Sequence, residues 1–305
     1  MENKSCFIIP TWPPHYHYLD FLNNLPDILD FDIYLVLSYR EDLTNLESLN
    51  YKNIYKTIII ENYLDRKYID DILNKSIEEQ GIITLKKYIA LDILKDKYEY
   101  LCTVDSESEF VSTNSVYEKL KKYCDRKIII GSTVDSTRNV TNSFFLMSQN
   151  ELVKVVEKIN NESILLFNGE DIEEINSKIN NRFYFWYSDI PVYDSKILID
   201  FFNHIKFNSD SYIEFSKRLN YYIFDYISYA YYCILYKDYN IMDIKEYGVS
   251  RNWSLESMPY DTYQEILNIG YKPMSLIYNT YIENKSKIDD IILIYHKNDG
   301  RYVYL

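Results

Sequence analysis

Five short apolar segments in the first half of this chain limit its fold more than any other feature. They are Cys6 to Pro10 (CFIIP), Asp32 to Ser38 (DIYLVLS), Lys56 to Ile60 (KTIII), Tyr98 to Val104 (YEYLCTV) and Lys127 to Ser132 (KIIIGS). Their apolar residues run on with little alternation, as strands covered on both faces do. Helical patterns fall between them: Tyr16 to Leu25, Tyr68 to Glu79, Ile82 to Lys95 with Leu85, Tyr88, Ile89 and Ile93 on one face, and Ser112 to Tyr123 behind a Ser/Thr/Asn cluster able to cap it. The alternation predicts an α/β fold: a Rossmann-type, mostly parallel sheet flanked by helices.

After about residue 140 the pattern becomes more helical. Helices are expected over Glu151 to Asn160, Lys196 to Ile205, Tyr212 to Tyr236 and Tyr260 to Leu267, with strands at Ser143 to Ser148 and Ile288 to Tyr295. Six Gly and seven Pro in 305 residues leave no linker-like stretch. The expectation is one compact unit, with a ligand-binding half (1–140) and a second half (141–305) packed on the same core. At 47% hydrophobic residues the chain can bury a large core.

A net charge of -13, with basic residues scattered among acids, argues against nucleic acid as a partner. The four cysteines, at 6, 102, 124 and 233, have no C-x-x-C spacing, which argues against a zinc ribbon or redox pair. With no signal-peptide-like stretch at the start, the expected location is the cytoplasm. The most apolar run, Tyr221 to Tyr236, carries Asp225 and is too short to span a bilayer; it reads as a buried helix.

The fourth apolar segment ends in Val104-Asp105-Ser106-Glu107-Ser108-Glu109. In an extended chain Asp105 and Glu107 point to the same side. Two such charges about 4 Å apart repel by roughly 4 kcal/mol at an effective dielectric of about 20. A hard divalent cation, Mn2+ or Mg2+, would relieve that repulsion through oxygen ligands.

Thr84 to Val111, a helix bearing Lys86-Lys87 that leads into a strand ending in acid-x-acid, resembles glycosyltransferases of the GT-A fold, and Ile8 to Thr11 (IIPT) is similar to their first strand end. The resemblance covers roughly the first 150 residues. It departs from the usual pattern in having Glu107 in place of the second Asp, and Glu109 offers another ligand. It implies a metal-assisted transfer of a sugar from a nucleotide-sugar donor to a hydroxyl of a glycan or lipid-linked glycan, with peripheral membrane association left open. By the same resemblance, Pro10 and Thr11 line the base or ribose, Tyr39 and Arg40 contact the base, and Lys86 or Lys87 reaches the phosphates or sugar. The metal and diphosphate sit at Asp105, Ser106 and Glu107, and His296 supplies a further metal ligand.

An inverting transferase also needs a carboxylate base. Asp189, beside the aromatics of WYSDIP, and Glu170 and Asp171, in the turn NGED, are the candidates. The last two also suit the N-terminus of a helix, where acids offset the dipole. Trp186 and Trp253 could stack on a sugar or base, though packing explains them as well. Two other readings stay open: a non-catalytic binding or assembly subunit on the same fold, and a metal-dependent hydrolase built on His15-x-His17. The hydrolase needs more histidines than the chain's four.

Overall fold

The computed structural model describes residues 3–112, 115–131, 149–179, 191–243, 293–296 and 301–304. In chain order the elements used below are β1 (Ser5–Pro10), β2 (Asp32–Leu37), α1 (Arg40–Glu47), β3 (Lys56–Ile59), α2 (Arg66–Leu73), α3 (Ile82–Leu94), β4 (Tyr100–Thr103), β5 (Ser108–Ser112), α4 (Val116–Asp125), β6 (Ile128–Gly131), α5 (Gln149–Ile164), α6 (Gly169–Ile179), β7 (Val192–Asp194), α7 (Ser195–Ile205), α8 (Tyr212–Arg218), α9 (Asp225–Tyr236), β8 (Asn240–Asp243), β9 (Leu293–His296) and β10 (Arg301–Tyr304). They fall into two compact units interleaved in sequence: Met1–Glu109 with Pro191–Tyr229, and Phe110–Ile190 with Ala230–Leu305.

The first unit holds a five-stranded sheet in the order β3-β2-β1-β4-β7. β1 pairs in parallel with β2 and β4, and β2 pairs in parallel with β3. β7 closes the β4 side antiparallel, Tyr100 opposite Asp194. This is the mixed α/β fold with a mostly parallel sheet that the apolar segments predict. Every residue of β1 is buried, and β2 is buried beyond Asp32. α3 packs on β1, β2 and β4. From Thr84 to Leu91 it is buried on every side, Lys86 and Lys87 included. Its four-residue face was legible, but its complete enclosure was not. Each large apolar side chain it buries contributes about 1.5–3 kcal/mol.

In the second unit β6 and β8 form a parallel pair, from Ile128 opposite Asn240 to Gly131 opposite Asp243. β9 and β10 pair antiparallel. The Tyr231 hydroxyl donates to Asn160 Oδ1 at 2.9 Å, which ties α9 to α5. Lys178 Nζ donates to the carbonyl of Ile234 at 3.2 Å, which ties α6 to α9.

Four expectations need correction. The segment after Lys127 is a strand, but it belongs to the β6–β8 pair, and β7 takes the edge of the central sheet beside β4. The stretch from Pro13 to Asn24 is a run of 3-10 turns instead of an α-helix, and it begins with two prolines that supply no N–H. The helix expected from Ser112 starts at Val116, because Ser108–Ser112 is a strand, and Ser115 precedes it left-handed without a side-chain cap. The helix expected over Tyr212 to Tyr236 is broken at Asn220, whose Oδ1 accepts from the Tyr222 N–H at 2.8 Å, a local turn that competes with the helix ladder. The strand expected over Ser143 to Ser148, the helix expected over Tyr260 to Leu267, Asp189, Trp186 and Trp253 lie outside the described residues. Among the described residues, no helix is long and apolar enough to cross a membrane.

Candidate functional site

In the first unit the chain runs from β1 to β2 to β3 on one side, then returns to β4 on the other side of β1. The carboxyl ends of β1 and β4 therefore flank a topological switch point, where open α/β sheets bind ligands. Pro10 and Thr11 end β1, and Asp105-Ser106-Glu107 follows β4. The Thr11 N–H donates to the Val36 carbonyl at 3.1 Å. The Thr11 hydroxyl is buried without a hydrogen-bond partner.

The acidic triplet is not extended, so the condition under which both acids would point to one side is not met. The Ser108 N–H donates to the Asp105 carbonyl at 3.0 Å and folds the segment into a turn. The two acids then take different neighbours. Asp105 is 50% exposed and lies 3.3 Å from Lys87 Nζ. Glu107, 20% exposed, accepts from the Ser106 hydroxyl at 3.2 Å and has His15 Nδ1 3.9 Å away. Burial pushes the Glu107 carboxyl above its ordinary range, and the Asp105 charge adds to that.

His15 lies in the 3-10 run after β1, with Nδ1 2.7 Å from the Ser106 hydroxyl. It thus joins the loop after β1 to the turn after β4. The exposed Trp12 lies beside it, ring centroids 5.1 Å apart. His17 turns instead to the Pro14 carbonyl at 2.9 Å, so the two histidines do not act as a pair.

Beneath the turn, α3 supplies both lysines from buried positions. Lys86 Nζ donates to the Thr11 carbonyl at 2.7 Å. Burial pulls its ammonium down to about 8, against the pull of Asp42. Lys87 Nζ lies between two carboxylates, Asp105 Oδ1 at 3.3 Å and Asp225 Oδ1 at 3.7 Å. Burial works against its charge, but Asp105 and Asp225 outweigh it and hold the ammonium above the ordinary lysine range. The first residue of α9, Asp225, is 3% exposed. Its Oδ2 accepts from the Thr103 hydroxyl at 3.1 Å and from the Tyr193 hydroxyl. Burial raises the Tyr193 phenol well above its ordinary value, and Asp225 raises it further.

The structure thus gathers Thr11, Lys86, Lys87, Asp105, Ser106 and Glu107 at the switch point. His15 and Asp225 join them, and neither was assigned to this site by sequence. Asp225 had a readable signal as the acid within the most apolar run. Tyr39 and Arg40 have partners elsewhere: the Tyr39 hydroxyl donates to Asp70 at 2.5 Å beneath the Arg66 guanidinium, and Arg40 Nε donates to Asn62 at 3.0 Å. Glu170 and Asp171 open α6 in the second unit. There Asp171 is buried and accepts from the Tyr236 hydroxyl, while Glu170 is exposed. His296 ends β9 in that same unit.

Two crowded carboxylates and a serine hydroxyl are hard oxygen donors, and the push of Asp105 on Glu107 is one that a cation would relieve. The turn thus offers oxygen donors of the kind that Mn2+ or Mg2+ takes. Among the described residues, no group of three or more His, Cys, Asp or Glu could hold a metal ion.

No protein-family description matches the chain, and no curated protein matches it. Solved structures do. The mannosyltransferase Ktr4p from S. cerevisiae is similar over 72% of this chain at 12% identity and a TM-score of 0.31. The chain spans 63% of that protein's length. Core-mannan synthase A from Aspergillus fumigatus, in a Mn/GDP form, is similar over 80% of this chain and 73% of its own, at 10% identity and a TM-score of 0.36. A mannose-1-phosphate geranyltransferase from Thermus thermophilus is similar over 80% of this chain and 70% of its own, at 9% identity and a TM-score of 0.31. Likeness this distant carries no argument about chemistry.

Proposed function

We propose that the chain is a glycosyltransferase that takes a sugar from a nucleotide-sugar donor and passes it to a glycan hydroxyl in the cytoplasm. One observation carries the reading: an acidic turn, backed by a buried lysine, stands at the carboxyl end of β4 where the strand order reverses. A donor diphosphate needs positive charge that stays in place as the sugar departs. Lys87 supplies it from within the fold. Asp105 and Glu107, with the Ser106 hydroxyl, would hold Mn2+ or Mg2+, which when bound would offset charge on the leaving nucleotide. Thr11, with its unpartnered hydroxyl, and Pro10 are the proposed floor of the nucleoside pocket, and Trp12 an exposed ring at its edge. Asp189 remains the proposed acceptor base, and a lipid-linked glycan the proposed acceptor.

A second reading is favoured by the Lys87–Asp105 contact, which already neutralises one acid of the turn. On that reading the chain binds a sugar nucleotide without turning it over. Hydrolysis of a panel of UDP-, GDP-, dTDP- and CMP-sugars in Mn2+ separates the two. The transferase should release nucleotide from one donor, and Asp105→Ala should abolish the release. Nucleotide binding with no turnover of any donor, with acceptor glycans present, would favour the binding subunit.

A further inference from the structure

The lysine behind the acidic turn has two carboxylate acceptors on different elements. Asp105 is half exposed and within reach of an incoming ligand, whereas Asp225 is enclosed and fixed by Thr103 and Tyr193. The two Nζ–oxygen distances, 3.3 and 3.7 Å, are close enough that a small swing of Lys87 favours either carboxylate. Lys87 can therefore give up Asp105 without becoming an unpaired buried charge, because Asp225 still compensates it. Asp225 has no such freedom, since it is buried and its second oxygen is already occupied. Glu107 adds its charge to those of Asp105 and Asp225 around this one ammonium.

Resting on the nucleotide-sugar reading, we propose that Lys87 is a resident cation of the acidic turn, tethered by Asp225, that competes with a divalent ion for Asp105. Asp225 is a positioning residue. It gives Lys87 a place to retreat to, so that the carboxylate of Asp105 can be released to a metal while the ammonium stays close enough to meet the phosphates.

The test measures Mn2+ binding alone, by electron paramagnetic resonance of the free ion, in three folded proteins. Asp225→Asn removes the enclosed counter-charge of Lys87, so the ammonium closes on Asp105 and Mn2+ binding should weaken. The double variant Lys87→Gln with Asp225→Asn replaces the ion pair by two amides of similar shape. With the competitor gone, it should bind Mn2+ more tightly than wild type, by roughly threefold or more, while binding UDP, GDP or dTDP in Mn2+ less tightly. A purely structural role would weaken Mn2+ binding in both variants. Should the buried substitutions impair folding, Tyr193→Phe loosens Asp225 without removing it and should shift Mn2+ binding in the same direction as Asp225→Asn.

Unchanged or weaker Mn2+ binding in the double variant overturns the inference, as does the absence of Mn2+ binding in both wild type and double variant. If the opposite shifts in Mn2+ binding appear but wild type with Mn2+ binds no nucleoside diphosphate, the resident cation stands and the transferase reading falls.

Discussion

Asp225 opens a helix of otherwise mostly apolar residues, and that setting makes its carboxylate informative. An ionised group rarely stays buried without a partner, so an acid in such a run calls for a cation elsewhere in the sequence. Which cation could not be read, because Lys87 lies 138 positions away and only the fold brings them together. Removing one member of a buried pair exposes the other to the full cost of desolvation. Asp225→Ala should therefore destabilise the protein by about 3–5 kcal/mol in urea unfolding, and Asp225→Asn by less.

Lys86, the neighbour of Lys87 on α3, is also buried. Its ammonium falls from an ordinary 10.5 to about 8 in the folded chain. Below about 8 both folded and unfolded states carry the proton, and the cost of burying the charge is present in full. Between about 8 and 10.5 the unfolded state binds more protons, so this residue's contribution to stability improves as pH rises. Wild type should therefore gain stability relative to Lys86→Met across that window. A parallel pH dependence of the two proteins would show that Lys86 keeps its ordinary value.

At the scale of elements, the periodicity of α3 predicted a helix, and its burial on every side follows from what packs on it. Its N-cap, Gly81, sits against Leu219: a Cβ there would lie 2.5 Å from the Leu219 carbonyl carbon and 2.6 Å from its oxygen. Those are backbone atoms, which yield little. Gly81→Ala should cost about 1–3 kcal/mol, lowering the urea midpoint without changing the slope. The elements that misled were those decided by local competition. Asn220 broke a helix whose apolar pattern ran through it, and two prolines turned a predicted helix into 3-10 turns. The acidic triplet turned because a backbone N–H found the Asp105 carbonyl. None of these contests is visible in hydrophobic periodicity.

Across the whole molecule, the alternation of apolar strands and helices was enough to predict a mostly parallel α/β sheet. Strand order was not readable, and strand order is what makes the site. Placing β1 between β2 and β4 sets Thr11 and His15 opposite the acidic turn. The sequence pointed to one end of β4 as the candidate site but hid its neighbours: the segment after Lys127, expected in this sheet, pairs with β8 instead. The candidate site was thus half legible. Its lysine pair and its acidic triplet are each contiguous or nearly so in sequence, 18 positions apart, whereas His15 and Asp225 arrive only through topology.

A nucleotide-sugar transferase of the kind proposed binds a diphosphate together with a divalent ion at the turn after β4. The most direct measurement is the melting temperature of wild type and Asp105→Ala with UDP, GDP, dTDP and CMP, each with and without Mn2+. One nucleotide should raise the wild-type value by several degrees only when Mn2+ is present, and Asp105→Ala should lose that rise. A rise of equal size without metal or in Asp105→Ala, or no rise with any nucleotide, would contradict the proposal.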